Sequence, residues 1–381
     1  MRRSLGIDLG TTNSVVAMNA QVLTLLHGET RASLLASAVA FLPDGGAIIG
    51  RAARDRKPID PKNTIYASKR LMGESFASAA VSQFQMQYPH DLEPAPQGGV
   101  QFRTRAGAVS PADIAALIAS HLCMRATFHP AQVCTVVTVP SSFRETARQA
   151  TVRSIRRAGF TDLRLLEEPI STAVAYLNRA NLRYAAVYDL GGGTFDFAVM
   201  DCSSFPFRVL GQGGDPYLGG DDVDAALARV VTEEVERKTG LNLRANVVNY
   251  ARLTQACEHV KCALSLHERW TLDLTRVDPT MPASLSQFKV DRDMLRAAAT
   301  PLVNRTFGIC DEVLAHAALR PRDIQAVFMA GGSTRLFMLH AMVSEYYGNR
   351  LRSDLNPEHV VALGASMVAA RPELWPLLDP A

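Results

Sequence analysis

The sequence predicts an α/β fold with two related lobes, and three observations lead there. One pattern occurs twice, as Ile7-Asp8-Leu9-Gly10-Thr11-Thr12-Asn13-Ser14 and as Tyr188-Asp189-Leu190-Gly191-Gly192-Gly193-Thr194-Phe195-Asp196. In each copy an apolar strand ends in Asp, turns through glycine and hydroxyl residues, and leaves as a second apolar strand. Strand-like and helix-like segments also alternate along both halves, which argues for a duplicated α/β unit. Finally, 381 residues are too many for one small core.

Taken in order, the first 40 residues read as strands, with Leu5 and Ile7 entering the first turn and Val15 and Val16 leaving it. A polar stretch at 44–107, with Pro58 and Pro61, is expected to be an irregular insert (about 40–110) in a first lobe covering 1–182. Pro111 opens a helix capped by Ser110. Residues 133–139 form a β-branched strand stopped by Pro140, and Ser141-Ser142 is expected to start a helix that runs to Gly159. A strand at 163–166 leads to Glu167-Glu168-Pro169 and a helix through Ala173, Ala175 and Leu177.

The second lobe, 183–370, begins with the second hairpin at about Tyr184. A helical region at 222–266 is broken near 240–245, a β-rich piece spans 270–290, and 292–317 is helical; an insert is expected at about 228–298. A strand at 326–329 meets Gly331-Gly332-Ser333-Thr334 and then a helix. The last helix is expected to start at Asn356-Pro357-Glu358, an Asn cap followed by Pro. Residues 371–381 read as a linker-like tail.

Composition narrows the function. A hydrophobic share of 48% and a charged share of 20% are those of a soluble globular protein. A net charge of +3, without a basic run interleaved with aromatics, gives no reason to expect nucleic acid. Six cysteines lie scattered, with no spacing that fits zinc, so free thiols in a reducing cytoplasm are expected. No apolar leader precedes the first strand, and no run reaches the length of a membrane span. A cytoplasmic monomer is the expectation.

The repeated turn carries the chemistry. Gly and Thr in a hairpin can aim backbone N–H groups and hydroxyls at one phosphate. The Asp before each turn offers the hard oxygen that Mg²⁺ prefers, through its water shell. Two such hairpins facing one another would clamp a polyphosphate and its metal. The Gly331-Gly332-Ser333 turn, between a strand and a helix, adds a polar shelf for a nucleoside. Glu258, Lys261 and Ser265 fall on one helix face, although Glu258 and Lys261 could equally form an ordinary helix ion pair.

These motifs resemble the nucleotide-binding domain of the 70-kilodalton heat-shock chaperones, the DnaK-like family of the actin and sugar-kinase superfamily. The resemblance covers roughly residues 4–370. It includes IDLGTTNS, Ala67-Ser68-Lys69-Arg70-Leu71-Met72-Gly73, Thr138-Val139-Pro140, Ala147-Arg148-Gln149-Ala150-Thr151 and Glu168-Pro169. YDLGGGTFD, Leu218-Gly219-Gly220-Asp221-Asp222-Val223-Asp224, GGSTR and Asn356-Pro357 extend it. It implies a two-lobed actin-like ATPase fold, built from duplicated ribonuclease-H-like domains with an ATP cleft between them, and slow Mg²⁺-dependent ATP hydrolysis coupled to lobe movement.

The residue roles follow from the same resemblance. Asp8 and Asp189 would hold hydrated Mg²⁺. Gly10, Thr11, Thr12 and Asn13 on one side, and Gly191, Gly192, Gly193 and Thr194 on the other, would cradle the phosphates of ATP or ADP. Lys69 would approach the γ-phosphate and attacking water, Glu168 would orient that water, and Asp196 would complete the network. Glu258, Lys261, Ser265, Gly331, Gly332, Ser333 and Arg335 would contact the nucleoside.

Departures lie mostly in the interdomain wiring. Ser142 replaces an expected aromatic, Val152 an expected Lys, Phe337 a Pro, and Cys262 an Arg that stacks on adenine in some relatives. Leu374-Trp375-Pro376-Leu377-Leu378-Asp379 resembles the family linker, which docks on the second lobe when ATP is bound, and Trp375 is expected to pack against this domain, most tightly in the ATP state. The family's peptide-binding domain is expected to be missing from this chain, either because the nucleotide domain stands alone or because the chain is a truncated product. Arg164 matches a position that meets a J-domain co-chaperone, so that partner, or a nucleotide exchange factor, is expected. Two alternatives are a non-hydrolysing, nucleotide-gated module or decoy for co-chaperones, and a small-molecule kinase, for which no acceptor site is evident.

Overall fold

The computed structural model describes residues 3–27, 30–176 and 182–378. It is a mixed α/β protein built on two sheets of matching plan, the actin-like ATPase fold. Strand β1 (Arg3–Leu9) pairs antiparallel with β2 (Asn13–Met18), because the Gly10–Thr12 turn reverses the chain. Short strands and turns follow, with a three-stranded sheet made from 38–41, 47–49 and 64–66. Helix α1 (Pro111–Ala126) starts at a capping box in which Ser110 and Asp113 satisfy each other's backbone N–H groups. Such a cap typically contributes about 1 kcal/mol.

Strand β3 (Val133–Val139) is buried throughout and runs parallel to β1. Helix α2 (Glu145–Arg157) begins later than expected. Residues 141–143 form a turn in which the Phe143 N–H donates to Pro140 O, so the helix starts after Arg144 and not at Ser141-Ser142. Strand β4 (Asp162–Glu167) extends the first sheet, and α3 (Glu168–Tyr176) leaves it directly. Leu177, expected in that helix, lies outside the described residues.

The second sheet repeats the plan. Strands β5 (Tyr184–Leu190), β6 (Phe195–Asp201) and β7 (Arg208–Asp215) form an antiparallel meander. Helices α4 (Gly220–Thr239), α5 (Val247–Leu264) and α6 (Arg292–His316) follow, with a two-stranded hairpin from 269–273 and 287–291 between the last two. Strand β8 (Ala326–Ala330) returns parallel to β5, as β3 does to β1. The GGS turn after β8 enters a short 3₁₀ turn, and α7 (Leu339–Tyr347) starts only at Leu339. The expected α-helix terminus is therefore absent from that shelf. Helix α8 (Val360–Ala370) begins after His359, and Asn356 caps the preceding turn by accepting from the Glu358 N–H.

Helices α3 and α8 cross between the sheets, and glycine sets how close they come. A Cβ at Gly364 would overlap the Ser171 carbonyl, and one at Gly6 of β1 would overlap the backbone of Ser366 and Ala362. Ser171 Oγ donates to Val361 O at 2.6 Å across this crossing.

The tail packs against the domain. Leu377 is buried with Val136, Leu166 and Val174 on the first sheet's side and with Ala365 of α8. Phe207, from the loop after β6, packs against this cluster. Trp375 remains 36% exposed, with the Arg164 guanidinium 4.4 Å from its ring centre. Asp379 lies outside the described residues.

Two measurements check this packing. Gly364→Ala should lower stability by about 1–3 kcal/mol or more, the usual cost of overpacking, in a denaturant titration. In a Trp270→Phe background, Trp375 emission should be blue of free tryptophan and move red on Arg164→Ala; a fully solvated, unmoved spectrum would show that the contact is not kept.

Candidate functional site

The two repeated turns meet tip to tip. Asp8 lies opposite Val15 in the first hairpin, and Asp189 lies directly opposite Asp196 in the second. Opposed residues of an antiparallel pair share a face, so both carboxylates of the second hairpin point the same way. The Gly191 N–H donates to Thr194 O at 2.9 Å, closing its turn. A Cβ at Gly192 would overlap the Thr12 side chain of the other lobe. Asp8, Gly10, Thr11, Thr12 and Asn13 line one wall of the resulting cleft, and Asp189, Gly191, Gly192, Thr194 and Asp196 line the facing wall. Gly193 instead abuts Arg70, whose Nη2 donates to the Gly193 carbonyl at 2.5 Å.

Between the hairpins stands a half-buried ion pair. Lys69, on a 3₁₀ turn (Ser68–Leu71), donates to Glu168 Oε1 at 2.7 Å. Glu168 is the first residue of α3, so the end of β4 delivers it to the cleft. Burial, and then repulsion from Glu168, raise Asp8 to about 7, against the pull of Lys69 and of a Thr138 hydroxyl 3.4 Å away. Asp196 is raised to about 7 by the same causes, opposed by Lys69 and Thr194. Asp189 is pushed well above the ordinary range by burial, Glu168, Asp196 and Asp8. Burial works against the Lys69 ammonium, yet Glu168, Asp8 and Asp196 outweigh it and raise its pKa. Four carboxylates around one ammonium leave a deficit of positive charge. That donor set suits a hydrated divalent cation, a hard ion that takes oxygen ligands.

At the other end, α5 presents Glu258, Lys261 and Ser265 to the cleft, facing Gly331, Gly332, Ser333 and Arg335. The Glu258–Lys261 pair left open by the sequence does not form. Lys261 is buried and donates to Gly220 O and Asp224 Oδ2, both at 2.8 Å, which leaves one ammonium proton for a ligand. Glu258 pairs at 3.3 Å with Arg54, on the opposite lobe. Ser265 Oγ donates to Lys261 O at 3.3 Å, and Ser333 Oγ to Gly191 O at 2.7 Å, tying the shelf to the second hairpin. Arg335 donates to Asn356 Oδ1 at 2.6 Å and lies 3.5 Å from Glu358. Cys262 is exposed at the cleft wall.

Residues 4–371 match the family described as Hsp70 protein. The chain belongs to the Hsp70 family. It is 37% identical over 390 residues to a chaperone protein HscA homolog of Polynucleobacter asymbioticus, covering 99% of this chain and 60% of the relative. A homolog of the same name from Azoarcus sp. is 38% identical over 398 residues, again with 99% and 60% coverage. One from Burkholderia ambifaria is 38% identical over 373 residues, with 97% and 58% coverage. The chain thus spans about 60% of the length of these relatives.

Three residues of this Hsp70 cleft escaped the sequence reading. Arg54 has no local signal, since its partner is 204 positions away. Asp224 and Arg70 sit inside quoted motifs, but only the fold shows one holding Lys261 and the other crossing to Gly193 and Tyr217. Among the described residues, no helix is long and apolar enough to cross a membrane.

The raised carboxylates set a pH dependence. Asp8 has an ordinary value of 3.8 and a folded value of about 7, so in that window the folded state binds protons that the unfolded chain has released. Its contribution must therefore fall as pH rises from about 4 to about 7. The difference in thermal midpoint between Asp8→Asn and the ligand-free wild type should widen in favour of the variant across this range. A difference of opposite slope would contradict the burial.

Proposed function

We propose that this domain binds Mg·ATP between its lobes and hydrolyses it slowly to ADP and phosphate, with the change of ligand altering lobe closure. The Lys69–Glu168 pair, held between two facing phosphate-type hairpins, is the observation that carries the reading. Its presence favours hydrolysis over a nucleotide-gated decoy, because a pure binding site has no need of a half-buried lysine beside a water-orienting carboxylate.

In this reading the turn N–H groups and hydroxyls of Gly10–Asn13 and Gly191–Thr194 hold the phosphates. Asp8 and Asp189 would hold a hydrated Mg²⁺, and the metal when bound would supply charge that offsets the phosphate oxygens. Lys69 stabilises the negative charge that develops on the transferred phosphoryl group, and Glu168 orients the attacking water. Asp196, opposite Asp189, accepts from the same water network. Glu258, Ser265 and the remaining Lys261 proton meet the ribose, while Gly331, Gly332, Ser333 and Arg335 frame the base. The Arg54–Glu258 contact spans the mouth of the cleft. A J-domain co-chaperone at Arg164, a nucleotide exchange factor, a cytoplasmic location and a part in the stress response rest on the family alone.

Calorimetry should show ATP binding that weakens when EDTA removes the metal. Lys69→Ala should keep nucleotide binding and lose turnover by about 10²–10³-fold, the usual cost of one preorganised transition-state donor. Equal turnover in wild type and variant would remove Lys69 from the mechanism, and wild type no faster than buffer would remove hydrolysis.

A further inference from the structure

We propose that the arm of the cleft opposite the nucleoside shelf holds the product orthophosphate on Arg144 before it leaves. The inference rests on the ATP hydrolysis proposed above. The cleft encloses about 1460 Å³, whereas a small-molecule site usually occupies roughly 300–1,000 Å³. Part of the surplus lies where the turn after β3 meets the end of β7, lined by Ser141, Ser142, Arg144, Thr146 and Gln212. This arm adjoins the ion pair: Ser141 shares a small recess with Glu168 and Asp196, and Lys69 Nζ is 6.0 Å from the Phe143 ring centre.

Acceptors separate Arg144 from the other cations of the cleft. Lys69 has Glu168, Arg70 has the carbonyls of Gly193 and Pro216, Lys261 has Asp224, and Arg335 has Asn356. Arg144 lines the cleft, is exposed, and has no acceptor among the described residues. Of the nearby carboxylates, Asp215 is engaged by Arg305, and Glu145 accepts from Gln149; Glu74 remains as a repulsive wall. Arg144 also occupies the N-cap position of α2 without a side-chain cap, so the first-turn N–H groups add partial positive charge.

The chemistry gives this arm an occupant. In hydrolysis the water oxygen attacks the γ-phosphorus in line with the oxygen that leaves on ADP. The new P–O bond therefore forms on the side away from ADP, and phosphate departs that way. A guanidinium flanked by three hydroxyls matches a tetrahedral oxyanion, with two parallel N–H donors.

The test uses inorganic phosphate titrated calorimetrically into the ADP-bound protein, for wild type, Arg144→Ala and Arg144→Lys. Phosphate affinity should fall roughly tenfold in Arg144→Ala, about the loss of one charge-assisted contact, and less in Arg144→Lys. ADP affinity from the same samples reports whether the cleft is intact. In single turnovers, a phosphate sensor should show faster release relative to quenched-flow cleavage in Arg144→Ala. Equal phosphate affinity in wild type and Arg144→Ala, or no phosphate binding to wild type, overturns the proposal. The titration needs no turnover, so a failure of hydrolysis would appear separately in the cleavage arm.

Discussion

The closeness of two glycine turns governs the site. Thr12 and Gly192 come from different lobes, and a single methyl at Gly192 would occupy the space of the Thr12 side chain. Glycine at that contact lets backbone N–H groups from both lobes face one small volume, which a polyphosphate requires. The same device recurs where α3 crosses α8 at Gly364 and where β1 meets α8 at Gly6. The lobes approach through backbone at each point, so their separation is set by chain geometry more than by side-chain choice.

That approach has an electrostatic cost. It desolvates Asp8, Asp189 and Asp196 around a single lysine already paired with Glu168. Without ligand the fold tolerates them by shifting the carboxylates toward their neutral forms. A bound metal and its waters would reverse those shifts, so folding and ligand binding are linked through the same three side chains. Lobe closure has a second anchor far from the carboxylates, where Arg54 reaches Glu258 over the nucleoside end.

Much of the site was legible because its parts are local. A turn of Gly and Thr after an Asp-ending strand is set by neighbours in sequence, and the hairpins stand where the repeat put them. The Ser110 cap is equally local. Misreadings occurred where a local signal competed with a tertiary one. Ser141-Ser142 looks like a helix start, yet Pro140 O takes the Phe143 N–H and delays the helix to Glu145. Asn356 looks like a cap and does cap, but for the turn before the helix.

The sequence by itself determined the two-lobed α/β plan and the paired phosphate-type turns, while the grouping of Lys69, Glu168 and the three aspartates was implied by the family resemblance and not by their spacing. The plan and the turns are written as repeats and short motifs, whose geometry the backbone can realise without knowing the rest of the chain. Only the tertiary structure decided which charge meets which. Lys261 turned from Glu258, three residues away, to Asp224, because burial rewards a short, fully desolvated pair over an exposed helix contact. The tail settled on Val136, Leu166 and Val174, and Arg144 was left facing the cleft without an acceptor among the described residues. Such pairings depend on distances between segments far apart in the chain, and packing alone sets them.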